Sequence, residues 1–344
     1  MRGRRLAFIV AVLSAAVLLG GAFFHLRDAA AAWLSGFVLV VGVPVGALSL
    51  KLIGRLTGGV WYSTLEPTLT ALSLLIPVVG IGAVPVLLSA SLLYPWVASG
   101  ALDPSVGAFY LNAPLLVLRT IVAFVGWSVL ALDLLPSEGQ RGRIVAGLGL
   151  VFHAVVTTFL AYDWVLALTP GFTSSAFGTE TIIVWMLSAL ALATALARDV
   201  PRKATYDIAG LMAAMIMGAG YMVFFQFLII WYGDLPDTVK FYLARENAAG
   251  IVLMVASLLV GLVVPMFLLA FEPVRGSIGR LRGVALLVLA GIVLYRGWLV
   301  LTLFGPTAWV LAPVAVILSA MVLVLAQGQT GGLLRRIGEE AGHG

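Results

Sequence analysis

The chain has 344 residues, 62% hydrophobic and 10% charged, with net charge +5 and mean hydropathy +1.12. Soluble domains carry roughly 25% charge, so this composition excludes a soluble enzyme; it reads as an all-α integral membrane protein whose spans are each about 20 apolar residues long. The absence of cysteine removes disulfides, thiolate iron–sulfur ligation and attached c-type haem, and the three histidines (His25, His153, His343) place only one side chain inside a span.

Ten apolar runs follow in chain order: Leu6–Phe24, Ala29–Leu50, Leu69–Leu93, Ala113–Leu135, Ile144–Leu168, Phe177–Ala197, Tyr206–Trp231, Ala249–Leu269, Val284–Leu303 and Ala308–Leu325. The first follows Arg4-Arg5, a pattern shared by signal peptides and anchors, and is expected to be a retained anchor. With the N-terminus inside, fifteen of the twenty Lys and Arg residues fall on inner connections, among them Lys51, Arg55, Arg141 and Arg275. Only Arg27, Lys240 and Arg245 fall outside, while Arg119 and Arg296 lie within spans. This asymmetry predicts an even number of spans and both termini in the cytoplasm. The dispersed basic residues form no face for nucleic acid. The outer connections, 94–110 and 231–247, are aromatic, and Trp96, Trp164, Trp231 and Tyr232 suit an interfacial belt. Residues from Gln327 onward read as a short cytoplasmic tail.

The stretch from Val151 to Glu180 is the most informative. It holds His153 within an apolar run, Asp163 beside Trp164, a Thr169-Pro170-Gly171 break and Glu180 at the start of the next run. An ionisable group at a helix centre costs about 2.5–3.5 kcal/mol on insertion scales, so such residues face the interior of a bundle and find partners. Depth along the helices puts Glu66, Asp133 and Asp207 near the inner face, His153 and Arg296 near the middle, and Arg119, Asp163 and Glu180 near the outer face. Ten residues turn a helix to about 80° off alignment, so His153 and Asp163 do not share one stripe. Arg119 has Asp163 or Glu180 as its candidate partner. Groups spaced in this way suit a proton path through Asp133, His153, Asp163, Asp207, Arg296 and Glu180, with Thr157, Tyr221 and Gln226 as neutral polar neighbours. The plainer readings are structural ion pairs, acids tolerated at helix ends and a satisfied core histidine. A secondary transporter with a midplane polar site is the alternative of another class.

Several blocks resemble one family. Leu93-Tyr94-Pro95-Trp96, followed by Tyr110-Leu111-Asn112-Ala113-Pro114 and Arg119, is one. Tyr162-Asp163-Trp164 through Leu168-Thr169-Pro170, then Ser174-Ser175-Ala176-Phe177-Gly178, is the second. Tyr206-Asp207 with Gln226 to Pro236 is the third. In this order they resemble the NrfD-like membrane subunits of alternative complex III, of the ActF type; Pro95 in the first block, where a histidine would suit the ActC-type paralogue, fits that type.

The resemblance implies one transmembrane domain over 1–344. Residues 29–168 would form a first four-helix bundle and 177–303 a second, with 6–24 and 308–325 as peripheral helices. It implies a bacterial cytoplasmic membrane, a related quinol-site membrane subunit, an iron–sulfur subunit and c-type cytochrome subunits as partners. Haem c and iron–sulfur clusters would belong to those partners, and this chain would bind no redox cofactor of its own. Arg119, Asp163, Trp164 and Gln226 are the candidates for a structural ion pair or a quinone pocket. The same residues leave open a quinone-site subunit of a polysulfide-reductase-like complex.

Overall fold

The computed structural model describes residues 2–99, 110–169 and 171–341, with side chains over 3–97, 110–169 and 171–326. Pro170, His343 and most of the 94–110 connection therefore lie outside the described residues. All regular structure among the described residues is helical, and ten helices are long and apolar enough to cross a membrane. The chain is a polytopic, all-α membrane protein.

Helix α1 (Arg2–Phe24) breaks at His25 into α2 (Leu26–Thr57). At 32 residues α2 overshoots a bilayer core of about 30 Å, which needs only about 20. Lys51 and Arg55, assigned to a loop by charge alone, thus ride its last two turns. The third span starts at Val60, earlier than the sequence suggested, and is broken into α3 (Val60–Ser73), α4 (Ile76–Ile81), α5 (Ala83–Leu88) and α6 (Ala90–Leu93). Pro77 and Pro85 lack the amide that a continuous helix would need. The breaks close with tight local bonds, such as Gly82 N to Val79 O at 2.8 Å, and Trp33 Nε1 donates to the Gly82 carbonyl at 2.9 Å.

After α7 (Pro95–Ser99) come α8 (Ala113–Ala131) and α9 (Gly139–Trp164). Asn112 caps α8 by accepting from Leu115 N at 2.9 Å. A 3₁₀ turn, Leu166–Leu168, ends the fifth span before α10 (Ser175–Leu196). Then follow α11 (Arg202–Tyr232), the short outer α12 (Pro236–Leu243), α13 (Ala248–Leu258), a π-helical turn (Leu259–Val263), α14 (Val264–Ala270), α15 (Glu272–Arg275) and α16 (Ile278–Leu301). The last helix, α17 (Pro306–Ala341), continues well past the apolar run, where the sequence suggested a tail.

Helix α2 is the central post. It packs on α17, α10, α3, α9, α16 and α1, and its middle is almost wholly buried. Small residues make this possible: a Cβ on Gly46 would collide with the Trp185 carbonyl of α10, and one on Gly42 with the Trp185 ring. Backbones meet this closely in membranes where glycine removes the side chain between them. Helices α8 and α9 pack against each other and α9 against α2, with α4 against α8; α11 and α16 pack on α10, and α13 with its π turn on α16.

Candidate functional site: buried ion pairs at successive depths

At the end of the bundle that holds Lys51 and Arg55, Asp133 follows the last turn of α8 with φ of 52°. An aspartate tolerates this left-handed conformation better than most residues, and it turns the carboxylate toward α2. Lys51 Nζ lies 2.8 Å from Asp133 Oδ2, and Arg55 Nη2 lies 2.9 and 3.0 Å from its two oxygens. Lys51 is 1% exposed, so one acid holds two cations, one of them buried.

At mid-depth, His153 of α9 is buried. Its Nδ1 is 3.3 Å from Thr157 Oγ1, one turn on, and its Nε2 has no hydrogen-bond partner among the described residues. The ring lies 6.0 Å from that of Trp127, which in turn lies 6.1 Å from Trp185. The indole N–H groups of Trp127, Trp164 and Trp185 are likewise buried without a partner. Trp164 packs on Phe124 and edge-on against Phe37, and its carbonyl accepts from Tyr94 Oη at 3.2 Å.

Two ion pairs lie toward the opposite end of the bundle. Arg119, in the second turn of α8, forms a fork with Asp163 in the last turn of α9: Nε to Oδ2 at 2.6 Å and Nη2 to Oδ1 at 2.9 Å. Nη2 also donates to the Tyr110 carbonyl at 3.1 Å, and the guanidinium sits 4.3 Å from the Tyr110 ring centre. Burial, and then the nearby Asp163 charge, push the Tyr110 phenol up from its ordinary value, so it remains a neutral lid. The second pair joins Glu180 of α10 to Arg296 of α16, with Nη2 3.5 Å from Oε1. Glu180 Oε2 accepts from Thr181 Oγ1 at 3.3 Å. Oε1 and both terminal nitrogens of Arg296 have no hydrogen bond among the described residues, although both side chains are buried. Arg296 sits five residues from the end of α16, roughly 8 Å at 1.5 Å per residue. It therefore lies in the last third of α16, which starts earlier and ends sooner than its apolar run suggested.

The fold thus joins Arg119 to Asp163 and Arg296 to Glu180, and surrounds Asp133 with cations. It leaves His153 on a different stripe from Asp163. Asp207, half-buried near the inner end of α11, and the buried Gln226 have no side-chain hydrogen bond among the described residues. Among the described residues no three His, Cys, Asp or Glu side chains converge as a metal set would.

Two buried cations lay outside the sequence reading. Lys51 continues an apolar run with no turn residue before it, and that continuity was its signal. Arg245, a connection charge by sequence, is 1% exposed. It bonds the Leu299 carbonyl at 3.0 Å, the Phe241 carbonyl at 2.7 Å and Thr169 Oγ1 at 3.3 Å, with the Phe241 ring 3.8 Å away. Burial lowers its guanidinium to about 10 and pushes the Tyr242 phenol up to about 12. Arg245 stays a cation at neutral pH and ties α12, the break after α9 and the end of α16 together. Only the aromatic residues just before it, Phe241 and Tyr242, hinted at this. No protein-family model matches the chain, and no curated protein matches it.

Proposed function

We propose that this chain is an integral membrane subunit of a quinol:cytochrome c type oxidoreductase complex in a bacterial cytoplasmic membrane, where it contributes a proton path and a scaffold. The observation that carries the reading is a series of ionisable groups along the bundle: the exposed Asp133 with the buried Lys51, then the buried His153, then the Glu180–Arg296 pair and the Asp163–Arg119 pair, in which Glu180, Arg296 and Asp163 are buried. Charges at membrane depth are costly, so those that are kept face the bundle interior, find partners there and mark ion paths or lock the bundle. The motif blocks around Tyr94, Asp163 and Gln226 support the NrfD-like, ActF-type assignment. Redox centres would sit in partner subunits, and a proton would pass from Asp133 through His153 toward Glu180 and Asp163.

A tag on this chain, mild-detergent purification and a reduced-minus-oxidised spectrum with mass spectrometry test this. Stoichiometric c-type haem, an iron–sulfur protein and a related membrane subunit are the expected companions. Asp163→Asn is then expected to lower proton movement per electron. A folded, colourless and solitary protein overturns the reading. One observation favours a secondary transporter instead: the broken third span, since discontinuous helices build transporter sites. Substrate-dependent uptake by the isolated chain in vesicles would establish it.

A further inference from the structure

An open cavity of about 860 Å³ lies between the end of α2 and the start of α9. Arg55 of α2 lines it on one side, and Ser137, Gln140, Arg143 and Ile144 line it on the other. Glycine shapes its wall. Gly139 takes φ of 63°, a left-handed conformation that glycine adopts without a Cβ clash. A Cβ on Gly142 would collide with the Ser137 backbone, so the connection folds tightly onto the first turn of α9.

We infer that this cavity binds a phosphate group between Arg55 and Arg143, carried by the headgroup of an anionic phospholipid or by a soluble phosphate. Charge selects the ligand. Asp133 holds both Lys51 and Arg55, so its one negative charge is shared between two cations. Only Nη2 of Arg55 bonds Asp133. Arg143 is exposed and has no ion pair among the described residues. The nearby acids do not offset this excess: Glu66 accepts from Tyr62 Oη at 3.0 Å, Glu138 is exposed, and neither lines the cavity. Two guanidinium groups from separate helices suit a phosphate, whose several oxygens each accept a charge-assisted N–H bond. The start of α9 adds to the attraction, because Glu138 makes no side-chain cap there and the helix dipole is positive at that end. Lipid borders the same place. Ile144 lines the cavity and, with Leu148 and Val151, begins an exposed apolar stripe along α9 on which acyl chains would lie.

Two measurements on the full chain in detergent test this. The first is native mass spectrometry during titration with phosphatidylglycerol or phosphatidylcholine of matched chains. The second is the melting temperature in inorganic phosphate against chloride of equal ionic strength. A preference for one phosphatidylglycerol that free phosphate does not displace identifies the headgroup as the source. A higher melting temperature in phosphate, without a lipid preference, identifies a soluble phosphate. Arg143→Gln is expected to cut the lipid preference about fivefold, the effect of one basic residue near a membrane surface, or to abolish the stabilisation by phosphate. Arg280→Gln, which removes an exposed arginine in the first turn of α16, should leave both unchanged. Equal retention of both lipids together with no stabilisation by phosphate overturns the inference, and that arm needs no variant to fold. Equal losses from Arg143→Gln and Arg280→Gln also overturn it, since they would reduce the effect to overall charge. None of these results bears on the haem and iron–sulfur companions that test the functional reading.

Discussion

Asp163 and Arg119 illustrate what one carboxylate does at the edge of hydrocarbon. The aspartate is fully buried and the arginine keeps 18% of its side chain exposed, so the pair bridges the protein interior and the outer surface. Removing one member strands the other, at a cost of about 3–5 kcal/mol, whereas replacing both by apolar residues is close to neutral. Asp163→Leu is therefore expected to lower the melting temperature in detergent more than the Asp163→Leu/Arg119→Leu double variant does. A double variant as unstable as the sum of the singles would show that the two side chains act independently. These residues were legible in the sequence because a charge in an apolar run stands out. Their pairing was not, since Asp163 and Glu180 were equally good partners for Arg119 until the helices were placed. Lys51 and Arg245 are harder to read: Lys51 follows an apolar run and Arg245 lies in a connection, both places where charges are ordinary, and the unbroken run before Lys51 and the aromatic Phe241 and Tyr242 before Arg245 are only faint signals of burial.

Helices carry a second group of expectations. The α2–α10 crossing rests on Gly46 against the Trp185 backbone. Gly46→Val is expected to destabilise by about 1–3 kcal/mol, the usual range for overpacking, read as a shift in thermal unfolding. Gly210, with open space around it, serves as a control for which the same change should leave the melting point unmoved. In α15, Glu272 is held by Tyr206 Oη and by Arg202, whose Nη2 is 3.0 Å away, and these partners depress its carboxyl below the ordinary value. A depressed carboxyl adds stability at pH above its unfolded value and loses it as the pH falls through the folded value. Glu272→Gln should thus be less stable than the native chain at pH 7, and the gap should close as the pH falls through the folded value of Glu272, which lies below the ordinary carboxyl range. A gap that does not change with pH would place its contribution elsewhere. Hydrophobic runs located the helices well. They placed the third span wrongly, because its first turns carry Trp61, Tyr62 and Glu66 and dilute the apolar signal while remaining helical.

For the whole molecule, the ten crossings were legible because each needs only length and hydropathy. The site was less so, since it depends on which faces meet across α8, α9, α10 and α16. The absence of cysteine makes orientation directly measurable. Gln140→Cys, in the exposed first turn of α9, and Glu246→Cys, in an exposed connection, each introduce a lone thiol. The first is expected to react with an impermeant maleimide only in inverted vesicles and the second only in intact cells. Labelling of both from one side would overturn the predicted topology.

The proline-broken third span has a further consequence. Four short helices with 3₁₀ corners replace one continuous ladder, and each corner leaves carbonyls to weaker or borrowed partners. Local stability follows such bonding. In deuterium, the amides from Leu74 to Leu93 should exchange first among those buried in the membrane, ahead of α2 and α10 on either side. The wall of the molecule that borders lipid would then also be the place where its backbone opens most readily.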